Sequence, residues 1–112
     1  MLGYDAHVHE LRPGVSEEDL LRIAQVPSEE RSEYLSTLVS RMVAYVPYRT
    51  WVDGLLSAAE DGRALMLLGG GYPYLFHASG ADIKANFADA GVEAISALRE
   101  EVWYVVKAWD QS

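Results

Sequence analysis

The chain has 112 residues, half of them hydrophobic and 11% aromatic, with no cysteine and a formal net charge of −8. A single compact domain over residues 1–112 is expected, and disulfides, thiolate-bound zinc and cysteine nucleophiles are excluded. An acidic surface repels phosphate backbones, so no nucleic-acid partner is expected, whereas a basic protein partner is favoured.

The acid is unevenly placed. Residues 1–33 hold eight acids and three bases, residues 34–80 three of each, and residues 81–112 six acids and three bases. Charge therefore concentrates at both ends. The opening MLGYDAHVHE lacks a basic flank followed by an apolar run, so no secretory signal is expected. No apolar stretch approaches the length of a bilayer span, so no membrane contact is expected and the expected location is cytoplasmic.

In chain order, residues 2–11 have strand alternation. Tyr4, Ala6 and Val8 point one way and Asp5, His7 and His9 the other, until Arg12-Pro13-Gly14 stops the strand. Ser16, followed by Glu17, Glu18 and Asp19, is a helix start: a hydroxyl at the cap and carboxylates in the first turn. Ser28 with Glu29 and Glu30 predicts a second helix. It carries Leu35, Leu38, Val39, Met42, Val43 and Val46 at intervals of three and four, and Pro47 ends it. A third helix is expected from Arg49 to Asp61, stopped by Gly62. Arg63–Leu68 and Tyr72–Ala78 flank Gly69-Gly70-Gly71 as a hairpin. Ser79–Ala90 predicts a helix. Val92–Trp109, whose apolar residues fill half a helical wheel, predicts one long final helix, although VWYVVKAW also has strand propensity. The sum is an α+β domain with about five helices packed on a small two- or three-stranded sheet.

Five features are candidates for function. Asp5-Ala6-His7-Val8-His9 resembles the opening strand motif of the amidohydrolase and polymerase-phosphatase-type metal hydrolases, over five residues. That resemblance implies a divalent metal whose further ligands come from later strands of a large barrel. This chain is less than half that length and has only one other histidine, His77. A metal at His7, His9 and His77 needs the hairpin strand to lie beside the first strand, and a polar strand face explains the same residues. No metal or other cofactor is therefore expected.

The glycine triplet lacks the following helix and lysine of a phosphate loop. It is expected to be a turn that presents Gly70, Gly71, Tyr72 and Tyr74 for recognition. Tyr45, Tyr48, Trp51, Tyr72 and Tyr74 could line a cleft if the third helix packs near the hairpin. Arg99 falls inside the apolar arc of the last helix and needs a carboxylate there. Glu17, Glu18, Glu29 and Glu30 could form one negative surface if the first two helices pack side by side.

No nucleophile constellation is visible, so the chain is not expected to be an enzyme. The expected function is a small acidic protein-interaction module, an inhibitor or immunity-type partner of a more basic protein. The alternative is a small-ligand or metal-binding protein, a metal-dependent hydrolase among them, using His7, His9 and His77. The wide apolar arc of the final helix also suggests a homo-oligomer.

Overall fold

Alternation governs the first strand as its sequence requires. In a computed structural model describing residues 3–70 and 73–110, without the side chains of residues 48–50 and 110, strand β1 spans Tyr4–Leu11. Ala6 and Val8 are fully buried, while Asp5, His7 and His9 lie on the other face. Helix α1 (Glu17–Leu21) opens with a capping box. Ser16 Oγ accepts from the Asp19 N–H at 3.1 Å, and the Asp19 carboxylate accepts from the Ser16 N–H at 3.0 Å. A 3-10 turn at Arg22–Gln25 and another at Ser28–Glu30 lead into α2 (Arg31–Leu38). Ser28 provides no side-chain cap there.

Two long helices expected from the sequence are helical only in their first parts and continue as strands. The chain leaves α2 after Leu38, and Val39–Thr50 is the twelve-residue strand β2, antiparallel to β1. Its core-facing residues are Ala44 and Val46. Register shifts opposite His9 break the twofold alternation, so the residual spacing mimics a helix. Helix α3 (Asp53–Glu60) follows, and Gly62 takes the left-handed conformation expected of it, with φ +80°. Strands β3 (Leu65–Leu68) and β4 (Tyr74–Ser79) form the expected antiparallel hairpin. Ser79 caps α4 (Gly80–Asn86), accepting from the Asp82 N–H at 3.2 Å.

The expected final helix is also overturned. Only Glu93–Ser96 is helical (α5), and Trp103–Asp110 is strand β5. Its apolar run reflects burial on both faces at the centre of a sheet. The arc that suggested self-association is thus spent inside the fold. Arg99, exposed in the intervening turn, pairs with Glu101 at 2.9 Å.

The sheet is accordingly larger than the expected two or three strands. Five antiparallel strands run in the order β2-β1-β5-β4-β3, with about five short helices around them. On the first face, Val8, Val46, Phe76 and Val106 pack with Leu55 and Ala58 of α3, Ile83 of α4 and Ile95 of α5. On the second face, Leu67, Leu75 and Val105 pack under Leu20, Ile23, Leu35 and Leu38. Each fully buried aliphatic or phenyl side chain contributes about 1.5–3 kcal/mol. Both layers are needed because a central strand such as β5 is apolar on each side. Among the described residues no helix is long and apolar enough to cross a membrane.

Candidate functional site

The sheet ends where Tyr4 opens β1 and Tyr74 opens β4, both directed to the first face two strands apart across β5. Their rings meet edge to face at 5.7 Å. Tyr74 stacks on the fully buried Phe76 at 5.6 Å, and Tyr4 meets Trp51 edge to face at 6.2 Å. A row of four rings therefore runs from the core to Trp51, whose side is 45% exposed. Such offset and T-shaped pairs add about 0.5–1.5 kcal/mol each beyond area burial. The backbone beneath Trp51 is also held: its carbonyl accepts from Asn86 Nδ2 at 2.9 Å.

The structure thus joins two of the expected contact residues, Trp51 and Tyr74, through Tyr4. Sequence reasoning assigned Tyr4 only to the strand's inner face. The signal was its place at the strand's start, where an inward ring lies at the rim. Tyr45 is not part of the row, because it sits on the second face of β2 with 43% exposure. Gly70 is exposed, with φ +96°, in the β3–β4 turn. Gly71 and Tyr72, and the side chain of Tyr48, lie outside the described residues.

The two acid-rich segments are held against each other. Tyr34 donates to the Asp19 carbonyl at 2.7 Å, and Arg31 donates to the carbonyls of Ala24 and Val26 at 3.1 and 2.9 Å. Contacts therefore move backward along α2 as the chain advances, so the two segments are antiparallel.

No family model fits this chain, and neither a curated protein nor a solved structure is significantly similar to it.

The histidines occupy the second face, and β5 keeps them apart. His9 and His77 both lie opposite Val105, one from each side, so two strand spacings (about 9.5 Å) and a buried valine intervene. The hairpin does not lie beside β1, which was the condition for a shared metal. Among the described residues no group of three His, Cys, Asp or Glu is placed to hold a metal ion. His7 instead packs on Trp109 at 4.8 Å and Tyr45 at 5.2 Å, and His77 packs on Trp103 at 4.9 Å.

Burial holds all three imidazoles below their ordinary pKa. The nearby Lys107 ammonium adds to this at His7, and His7 and Lys107 add to it at His9. Glu17 opposes it at His77, whose two ring nitrogens are buried without a hydrogen-bond partner. The Tyr45 phenol is raised, first by desolvation and then by the Asp5 carboxylate beside it. On this face the charged forms of the imidazoles and of Tyr45 are all disfavoured. None of its imidazoles is hydrogen-bonded to a serine, threonine or carboxylate among the described residues, so no nucleophile–base pair is assembled.

Proposed function

We propose that the chain is a protein-interaction module whose anchor is the aromatic row at the end of the sheet, and whose partner is more basic than itself. One observation carries the reading: a continuous stack from buried Phe76 through Tyr74 and Tyr4 to exposed Trp51. A ring held before contact loses little conformational freedom on binding, and tryptophan and tyrosine dominate interface hot spots. The net charge of −8 supplies long-range attraction to a basic partner. Glu17, Glu18, Glu29 and Glu30 contribute to that field and so act chiefly on encounter rate.

The test is capture of a stoichiometric partner on the immobilised full chain, compared with Trp51→Ala. Trp51 is about half exposed, so its removal should cost little more than its edge-to-face pair with Tyr4, about 0.5–1.5 kcal/mol, and leave the chain folded. Retention should fall by roughly thirtyfold, as for a hot spot of about 2 kcal/mol. Neutralising Glu17, Glu18, Glu29 and Glu30 together should slow association and flatten its salt dependence. Equal retention by Trp51→Ala would refute the aromatic anchor, and an unchanged salt dependence would refute the electrostatic part.

A further inference from the structure

A cavity of about 370 Å3 opens on the second face between α2, the β3–β4 hairpin and β5. Its apolar lining comes from Ile23, Leu35, Leu68 and Leu75, and its flat wall is Trp109. Two cations, Arg31 and Lys107, line the same space. Their presence there is selective. Of the basic side chains described, Arg22, Arg41, Arg63, Lys84 and Arg99 each pair with a carboxylate. Arg12, Arg31 and Lys107 pair with none among the described residues, and two of those three meet at this cavity.

Neither cation is loose. Arg31 is fixed by donating to the carbonyls of Val26 and Ala24 at 2.9 and 3.1 Å, which leaves further guanidinium N–H donors unused. The Lys107 ammonium lies 4.5 Å from the Trp109 ring centroid, held by the ring's negative face. Half-burial pushes its pKa down, since water is removed and no carboxylate replaces it. Desolvating a charge without a counter-charge is unfavourable. In a chain with 17 acids and 9 bases, a neighbouring carboxylate would have been easy to supply.

We propose that this cavity binds a small organic acid, with its carboxylate held by Lys107 and Arg31 and its apolar body laid against Trp109 and the leucines. The volume is at the low end for small-molecule sites, about 300–1,000 Å3, so the body is a single ring or a short chain. Ser28 of the preceding 3-10 turn and Ser32 in the first turn of α2 add hydroxyl donors to the lining. The site is distinct from the aromatic row around Trp51, and neither reading depends on the other.

The experiment titrates the full chain with phenylacetate, following the indole N–H of Trp109 by two-dimensional NMR. Phenylacetamide and inorganic phosphate serve as controls, one lacking the charge and the other the apolar body. Phenylacetate should shift the Trp109 signal saturably, with each control weaker by about tenfold or more. Lys107→Met and Arg31→Gln should each weaken it by about tenfold or more, and Lys107→Arg should retain it. Lys107→Met should melt at or above the wild-type temperature, because a strained charge kept for binding is a stability liability. Trp51→Ala should leave the titration unchanged. The absence of a saturable shift, or an amide or phosphate equal to the acid, overturns the proposal with no variant required. Unaltered binding in a folded Lys107→Met protein overturns it as well.

Discussion

Asn86 links two helices, and its replacement by alanine tests how much that link contributes. The first turn of α3 has no side-chain cap of its own, since Val52 occupies the cap position. Asn86, at the end of α4, supplies the acceptor instead: the Leu55 N–H donates to its Oδ1 at 3.1 Å. Loss of a cap acceptor to a part-buried N–H costs about 1–2 kcal/mol. The second bond, to the exposed Trp51 carbonyl, is replaced by water and adds roughly 0.5 kcal/mol. Asn86→Ala should therefore destabilise by about 2 kcal/mol, or roughly 8 °C in melting temperature for a domain of this size.

Gly54 sharpens the test. A Cβ at this helical glycine would lie 2.9 Å from Asn86 Oδ1. Gly54→Ala alone gains about 1 kcal/mol of helix propensity but displaces the amide, for a net loss near 1 kcal/mol. In the Asn86→Ala background the amide is gone, leaving only contacts of 3.3 Å to the Cα and Cβ of residue 86. The double variant should then be no less stable than Asn86→Ala, giving a coupling of at least about 1 kcal/mol in urea denaturation followed by circular dichroism. Additivity of the two changes to within about 0.5 kcal/mol would refute the reasoning.

Two further outcomes are expected. His77 is held below its ordinary pKa near 6.5 by burial, so the unfolded chain takes its proton first. Stability should be complete above about pH 6.5 and fall as pH drops below it. His77→Asn should show a shallower fall between about pH 6.5 and 5, with His7 and His9 retaining the remainder of the slope, and parallel melting curves would contradict this. Gly80→Ala should destabilise by more than about 2 kcal/mol, because its Cβ would run into the Arg99 backbone carbonyl. That turn cannot yield freely, since the Gly80 N–H donates to the Val102 carbonyl at 2.7 Å; a melting temperature equal to wild type would contradict the close approach.

Legibility in the sequence followed the local signals. Strand β1 was evident from alternation, α1 from Ser16 and its acidic first turn, and the β3–β4 hairpin from its glycines. What failed depended on partners distant in sequence. Strand β2 was hidden by its own irregular register, which replaced a period of two with spacings of three and four. Strand β5 was hidden by success at burial: with helices over both faces, Tyr104, Val105 and Val106 are all buried and no alternation remains. Among site residues, Trp51 and Tyr74 stood out as aromatic, but their connection through Tyr4 required β5 to lie between β1 and β4. Lys107 carries no sign of a site role in the sequence, because its position on β5 and beside α2 depends on the tertiary fold.

The strand order carries a kinetic consequence. Strands β2 and β1 make one local half of the sheet, and β4 and β3 make another. Their sole junction is β5, so the last strand described joins the first, with Tyr4 opposite Asp110. During synthesis the two halves, β1–β2 and the β3–β4 hairpin, emerge before the segment that unites them. Until Trp103–Asp110 leaves the ribosome, one edge of β1 and one edge of β4 have no strand to pair with. Contacts of such long sequence separation slow folding, and exposed strand edges invite pairing with other chains. Assembly of this fold is therefore a closing step, completed only when its final strand slides between two waiting halves.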